Sequence, residues 1–320
     1  MHLTNEIFTA SAEAVRAGGS HLFWADNITE SLRKSLEEIG QSAPILVHAG
    51  SNGLELAAGA ARLAVLTELD RPVLARMVED ADAVGLGLLY LADNAHRELD
   101  DAMRFKALQY FAPLMDAETL ERDILPRLGV RPKSKDARSL MDWLKMPAEW
   151  QALLGRGFLP LAAGTILGRM SDADRDAVLP LFSAMSWSRS NAVNLLTWLF
   201  ETGQMAGCPV AEVMARAGMD DILGQGLSPK DAIARLCAAA RQVRYPELTR
   251  LRGRFDAAAR TVTGGTSWKL VQPDSFETDG AELSVRIADR GRLARAIEEL
   301  RAMADSPAWE AVFNPGGNDE

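Results

Sequence analysis

Two short segments of this sequence carry residue types that suit a polyanionic ligand. The first runs from Gly59 to Arg62, and the second runs from Asp93 to Arg97. Backbone N–H groups at the start of a helix and arginine guanidinium groups both bind phosphate oxygens. Gly59 allows a close backbone approach, the two arginines can supply positive charge, and Asn94 can donate or accept a hydrogen bond. These residues are candidates for a phosphate-binding site.

The same residues also fit a purely structural interpretation. The small residues within 59–66 can pack a helix closely against a sheet. Asn94 can cap a helix, and Arg97 can belong to a solvated charged face. The sequence leaves both interpretations open.

A third segment, residues 131–138, concentrates positive charge. It contains four cations and a single anion: Arg131, Lys133, Lys135, Arg138 and Asp136. Ser134 is a residue type that caps helix N-termini, so we expect a helix whose start is basic. The whole chain has a net charge of -9, whereas DNA-binding domains usually have a basic footprint. Only a local basic surface of this kind favours DNA binding, and the alternative is a solvated charged face.

The bulk composition is that of a folded protein without a membrane segment. The 320 residues are 48% apolar and 25% charged, which suits two or three domains. No apolar window reaches the ~20 residues of a membrane helix, and the first residues lack the features of a secretion signal. Cys208 and Cys237 are isolated, as expected of free thiols in a reducing cytosol. The four histidines show no metal-ligand spacing.

The hydrophobic pattern predicts three successive architectures along the chain. Residues 30–78 follow the order helix, strand, strand, helix and strand, which is a compact α+β unit. Helical patterns separated by glycine and proline continue to about residue 243. Residues 247–303 then follow the order helix, strand, strand and helix, with Leu293, Ile297 and Leu300 on one face of the last helix. A unit this small rarely holds itself together alone, so we expect it to bind a partner surface.

The order of these patterns resembles the ParB family of bacterial partition proteins. The helix over 30–39, the Pro-Ile-Leu-Val strand after it and the Gly59 box are similar to the ParB N-terminal domain. The segment from Asp93 to Arg97 is similar to the family's Glu-Asn-x-x-Arg box, with Asp in place of Glu. Residues 117–144 resemble the family's helix-turn-helix, with a first helix over 117–128, a turn over 129–132 and a recognition helix over 134–144.

This resemblance implies an α+β fold with three domains and a tail. Residues 1–100 would form a small α/β ParB N-terminal domain with the nucleotide pocket. Residues 101–244 would form an all-α DNA-binding domain with the helix-turn-helix. Residues 245–305 would form a C-terminal α-β-β-α dimerisation module, and 306–320 a flexible tail.

The resemblance also implies a function. Members of the family bind a specific double-stranded DNA site as homodimers in chromosome or plasmid partitioning. They associate with the nucleoid in the cytoplasm, use a ParA-type ATPase as partner and use CTP with Mg²⁺ as a switch. The implied nucleotide-binding residues are Gly59, Arg62, Asn94 and Arg97. The implied DNA-binding residues are Arg131, Lys133, Ser134, Lys135 and Arg138, with Lys135 and Arg138 towards the bases and Arg131 and Lys133 towards the backbone.

The nucleotide box departs from the family at two positions. Ala60 and Ala61 stand where the family has Glu and Arg. Loss of an arginine fork on a phosphate costs ~1.5–3 kcal/mol, or roughly ten- to a hundredfold in affinity. One alternative is therefore a ParB-derived transcriptional regulator or adaptor that no longer binds CTP. A further alternative is an enzyme, because some relatives of the ParB N-terminal fold carry nuclease or phosphotransfer activity. Any hydrolysis of CTP by this chain would be weak at most. We predict no catalytic or metal-ligating residue.

Overall fold

The computed structural model describes residues 1–25, 28–51, 53–273, 276–277 and 280–316. The chain forms two compact units, Met1–Leu196 and Thr197–Glu320. The predicted domain limits, after residues 100 and 244, differ from this division. The sequence Asp-Asn-Ile-Thr from Asp26 is typical of a helix start, and Ser-Asn-Gly at 51–53 is typical of a turn. Asp26 and the middle of that turn lie outside the described residues.

A mixed five-stranded sheet forms the start of the first unit. Its strands are β1 (His2–Ala10), β2 (Val15–Arg16), β3 (Ile45–Gly50), β4 (Gly53–Ala58) and β5 (Val73–Glu79). Their order across the sheet is β1-β5-β3-β4-β2, and β3 runs parallel to β5 and antiparallel to β4. The central position of β3 explains its apolar sequence, since Ile45 and Val47 are fully buried. The order of helix, strand, strand, helix and strand that the sequence predicts for residues 30–78 is confirmed.

Four helices accompany the sheet and lead into the helical part of this unit. They are α1 (Glu30–Glu38), α2 (Ala60–Glu68), α3 (Ala83–Asp93) and α4 (Asp101–Phe111). The spacing of Leu32, Leu36 and Ile39 predicts that all three lie on one apolar face of α1. Leu36 is buried, but Ile39 is 80% exposed. The prediction for Ile39 is wrong because the helix ends at Glu38, so Ile39 no longer follows the helical face.

The remaining chain up to residue 244 is helical, as predicted. After α4, helical turns run through α5 (Ala117–Thr119), Leu120–Ile124 and Leu125–Leu128. The later helices are α6 (Lys135–Trp143), α7 (Ala148–Gly155), α8 (Gly164–Leu167), α9 (Asp172–Phe182), α10 (Arg189–Ala206), α11 (Val210–Arg216), α12 (Met219–Gly224) and α13 (Pro229–Arg244). Trp143, Trp150 and Trp187 are buried core residues, whereas Trp198 is half-buried.

The C-terminal segment contains the predicted helix, strand, strand and helix. These are α14 (Pro246–Thr263), β6 (Lys269–Val271), β7 (Glu282–Ser284) and α15 (Arg290–Ala304), followed by α16 (Trp309–Phe313). Their shared core includes Phe255, Leu270, Met303 and Val312. The segment predicted as a flexible tail therefore contains a helix, because Val312 is buried against α14.

Two further features bear on function classes. No helix in the described part of the chain combines the length and the apolar character needed to cross a membrane. Cys208 and Cys237 are half-buried and form no disulfide within the described residues, and burial raises the pKa of the Cys237 thiol to about 11. A raised pKa lowers the fraction of thiolate at neutral pH, and with it the nucleophilicity of this thiol.

Candidate phosphate cleft and candidate DNA-binding helix

The four predicted nucleotide-binding residues line one cleft. Gly59, Arg62, Asn94 and Arg97 surround a space of about 290 Å³ between the start of α2 and the end of α3. Two segments that are more than thirty residues apart in sequence therefore meet at one place. The volume lies near the lower end of the range typical of small-molecule sites, about 300–1,000 Å³.

Gly59 lines this cleft at the start of α2. It precedes α2 with φ of 100° and ψ of 28°, a left-handed conformation that favours glycine. A Cβ atom at this position would lie 2.9 Å from Cγ2 of Ile45 and 3.1 Å from Nη2 of Arg62. Glycine is therefore required both by the backbone angle and by the space.

The residue before α2 is Gly59, which has no side chain to cap the start of the helix. The first N–H groups of a helix have no partner within the helix, and the positive end of the helix dipole lies at the same place. Ala60 and Ala61 belong to this first turn and line the cleft. Their side chains add no charge, so the backbone and the two arginines must supply any affinity for phosphate.

Arg62 is held by a carboxylate. Its Nη2 donates to Oδ2 of Asp93 at 2.9 Å, and Nη1 approaches the carbonyl oxygen of Ala43 at 3.5 Å. The two side chains of the ion pair are only 18% and 25% exposed. Sequence reasoning placed Asp93 in the second box but missed this contact, which depends on how α2 and α3 pack.

The second box ends α3. Asn94 is 6% exposed, and its Nδ2 donates to the carbonyl oxygen of Tyr90 at 2.9 Å. This is the cap-like role of the structural interpretation. His96 is exposed and Arg97 is half-buried at the cleft. Among the residues that the structure describes, Arg97 forms no side-chain ion pair, so its charge is free to meet an anion.

The cleft suits an anion better than a lone metal ion. Within the described ranges, no three His, Cys, Asp or Glu side chains come close enough together to hold a metal. Mg²⁺ usually binds through one or two carboxylates and the phosphates of a substrate. Asp93 is the one carboxylate among the described lining residues, and its charge is already paired with Arg62.

The predicted recognition helix is α6, and Ser134 caps it. The Ser134 hydroxyl oxygen accepts a hydrogen bond from the N–H of Ala137 at 3.1 Å. Ala137, Leu140 and Trp143 form the buried face of α6. The Trp143 indole N–H donates to the carbonyl oxygen of Leu161 at 2.9 Å. These contacts fix the helix by one side and leave the other side in solvent.

The turn before α6 is also ordered by specific contacts. Gly129 has φ of 72° and Lys133 has φ of 60°. The N–H of Lys133 donates to the Glu121 carboxylate at 2.6 Å. A lysine in a left-handed conformation is uncommon, and this hydrogen bond helps to hold it there.

The four predicted DNA-binding cations all reach solvent at this place. The exposed side chains are those of Arg131, Lys133, Lys135 and Arg138, and Ser134 is half-buried. In the part of the chain that the structure describes, none of the four makes a side-chain ion pair. A groove of about 830 Å³ runs beside α6 towards the start of α10, and its lining includes Lys135 and Arg189. Sequence reasoning missed Arg189, although the serines on either side of it are a helix-start signal.

Comparisons with known proteins give no family. No family model matches the sequence, and no curated protein matches it. Among solved structures, one match is the C-terminally truncated chromosome-partitioning protein ParB from Caulobacter crescentus complexed to the centromeric parS site. It shows 17% identity and a TM-score of 0.36, over 59% of this chain and 98% of that chain.

A second match is the same truncated ParB complexed with CTP-gamma-S. It shows 20% identity and a TM-score of 0.25, over 56% of this chain and 99% of that chain. TM-scores this low do not establish a shared fold or function. The functional conclusion therefore depends on the residues of this chain.

Proposed function

We propose that this chain is a ParB-like DNA-binding protein that recognises a specific double-stranded site. The observation that carries the proposal is the start of α6, where four exposed cations stand on a helix that is capped by Ser134 and buried on its opposite face. A rigid helix with a basic, solvent-facing start is what major-groove recognition requires. The remaining sequence motifs, in the family's order, make partitioning of a chromosome or plasmid at the nucleoid the proposed setting, with a ParA-type ATPase as partner.

The proposed contacts divide by position. Lys135 and Arg138 lie on the first turns of α6, so we assign them to base edges. Arg131 and Lys133 lie before the helix, so we assign them to phosphates, which position a protein without reading sequence. The Ser134 hydroxyl is used as the cap, so its contribution to DNA binding is to fix the start of α6.

We propose that the protein acts as a homodimer through α15. The apolar stripe predicted from the sequence is exposed: Leu293 is 46%, Ile297 44% and Leu300 36% accessible. Arg295 lies towards the basic first half of this helix, and Glu298 lies in its second half. An isologous contact between two antiparallel copies of α15 would cover both stripes and bring opposite charges together.

We further propose that the cleft at Gly59 binds the triphosphate of CTP, with Arg97 and the first N–H groups of α2 as its main contacts. A nucleotide-independent regulator or adaptor is the second candidate. Two observations favour it: Ala60 and Ala61 add no charge, and Arg62 is already paired with Asp93. The DNA-binding proposal does not depend on which of the two holds.

The test is fluorescence anisotropy of the full chain with duplex DNA at several salt concentrations. We expect Lys135→Ala and Arg138→Ala to weaken binding by about 1–3 kcal/mol each. Lys145→Ala is the matched control, because Lys145 lies just after the end of α6 and is paired with Asp142. We expect this variant to bind DNA with nearly unchanged affinity. Equal binding by all variants and the wild type, or no binding to any duplex at low salt, would contradict the proposal.

A further inference from the structure

We propose that Asp93 is a built-in competitor for the phosphate-binding arginine of the cleft. In this account the Asp93 carboxylate occupies Arg62 in the resting protein, and an incoming phosphate must displace it. The inference rests on the proposed anion-binding role of the cleft and adds a regulatory contact to it.

The first support is geometric. Arg62 and Asp93 meet at 2.9 Å, through the guanidinium nitrogen Nη2 that also lies 3.1 Å from the Cβ position at Gly59. This is the side of the arginine that faces the start of α2. A phosphate held by the first N–H groups of α2 would therefore compete with Asp93 for the same guanidinium.

The second support is the electrostatic position of Asp93. It is the last residue of α3, where the negative end of the helix dipole disfavours a carboxylate. Arg62 offsets this unfavourable placement. A phosphate carries more negative charge than a carboxylate, so it can replace Asp93 as the partner of Arg62.

The third support is the difference between the two arginines. Arg62 is paired, whereas Arg97 forms no side-chain ion pair with any described residue and lines the same cleft. Arg97 can therefore make the first contact with an anion. Arg62 then binds the anion only when the negative charge of the anion is high enough to displace Asp93. This requirement would make the cleft selective for highly charged phosphates.

The displacement needs only a side-chain movement. Asn94 is fixed by its hydrogen bond to Tyr90, which holds the end of α3 in place. The Asp93 side chain is 25% exposed, so its carboxylate can turn towards water when Arg62 leaves. No change in the helices is required.

The experiment is calorimetry on the full chain with two probes, inorganic tripolyphosphate and CTP. The variants are Asp93→Asn, Asp93→Ala, Arg62→Ala and the double variant Asp93→Asn with Arg62→Ala. Glu98→Gln is the matched control, because it removes one exposed negative charge from the neighbouring turn. Circular dichroism checks that each variant is folded. Asp93→Ala is included because the asparagine of Asp93→Asn can still accept a hydrogen bond from Arg62, whereas alanine cannot.

We expect removal of the Asp93 carboxylate to tighten tripolyphosphate binding by about tenfold, the worth of one freed charged hydrogen bond. Glu98→Gln should change the affinity by less than about twofold, since exposed charges interact weakly. The gain should disappear in the Arg62→Ala background, because the competition runs through that arginine.

The outcomes separate this inference from the proposed function. A gain with tripolyphosphate but no binding of CTP would support the competitor and contradict CTP as the ligand. CTP binding that is unchanged or weakened by both Asp93 variants would overturn the competitor and leave the nucleotide site standing. Failure of every variant to bind either probe would overturn the competitor, whereas DNA binding is decided by the separate anisotropy experiment.

Discussion

Arg62 illustrates how a single contact changes what a motif can do. The residue type and its position after Gly59 suggest a phosphate ligand, but Asp93 already satisfies its charge. This contact joins positions 31 residues apart, and no local pattern encodes it. The candidate cleft could be predicted from two boxes of sequence, whereas the state of its arginine could not, because that state depends on tertiary packing.

Gly59 gives a prediction at the same scale. Gly59→Ala should destabilise the protein by about 1–3 kcal/mol, the usual cost of a strained backbone position, because the new Cβ would meet Ile45 at 2.9 Å. Denaturant unfolding measures the change. Gly253→Ala is the control: Gly253 lies in α14 with open space around it, so alanine should raise stability by about 0.5–1 kcal/mol. Equal effects at the two positions would contradict the account.

His21 gives a second residue-scale prediction. Burial lowers the pKa of its imidazole, partly offset by the hydrogen bond between Nε2 and the Leu56 carbonyl oxygen at 2.9 Å. His48 lowers this pKa further and Glu55 raises it. Because the folded pKa lies below the unfolded value of about 6.5, this contribution to stability is complete above that pH and is lost as the pH falls towards the folded pKa.

We therefore expect the denaturant concentration at the unfolding midpoint of the wild type to decrease as the pH is lowered from about 7.5 to about 5.5. This is the range in which free histidine titrates. The midpoint of His21→Gln should decrease less over the same range, because this variant lacks the buried imidazole at position 21. Chemical denaturation at the two pH values measures both. An identical pH dependence in the two proteins would show that His21 is not responsible.

At the scale of elements, local sequence predicted what local forces determine. The bounds of β3, β4, β5, α2 and α6 follow from apolar runs, glycine positions and the Ser134 cap, and they agree with the structure within a few residues. β1 was not predicted, because its pairing with β5 joins segments about seventy residues apart and its sequence has no clear alternation.

The Ser134 cap supports a prediction about α6. Ser134→Ala removes the acceptor for the Ala137 N–H, so stability should fall by about 1 kcal/mol. DNA binding should weaken as well, because Lys135 and Arg138 would lie on a frayed turn. Ser134→Thr keeps a hydroxyl acceptor and should change both quantities little. Denaturant unfolding and anisotropy provide the measurements, and an alanine variant with unchanged stability would rule out the capping role.

On α15 the sequence correctly predicted that three apolar residues share one face of the helix. It did not predict that this face is exposed. Ala296 and Met303 face the core, whereas Leu293, Ile297 and Leu300 face solvent. Amphipathic periodicity identifies a face, but it does not say whether that face meets the same chain or another. Exposure of this stripe is the reason to propose a second copy as its partner.

At the scale of the whole molecule, the negative net charge opposes the proposed binding to DNA, and the basic start of α6 favours it. A net charge of -9 opposes binding to arbitrary DNA, since non-specific affinity comes mainly from neutralised phosphates. Binding would then depend on the start of α6, on correct base contacts and on two copies acting together. This predicts a high ratio of specific to non-specific affinity.

Dimerisation through α15 can be tested directly. Leu293→Glu with Ile297→Glu should convert the dimer to a monomer, because four carboxylates would meet in the proposed interface, two from each copy. Stability of the fold should change little, since both side chains are already exposed. Ile39→Glu, at another exposed isoleucine, is the control and should remain dimeric. Analytical ultracentrifugation distinguishes the species, and a double variant that sediments like the wild type would exclude this surface.

The most direct test of the central claim is selection of binding sites from a random duplex DNA library by the full chain, followed by sequencing. We predict enrichment of an inverted repeat, because two copies related by a two-fold axis would each present α6 to one half-site. The Lys135→Ala and Arg138→Ala double variant should lose this enrichment. Recovery of no duplex above background at low salt, or enrichment that the double variant retains in full, would contradict DNA recognition through α6.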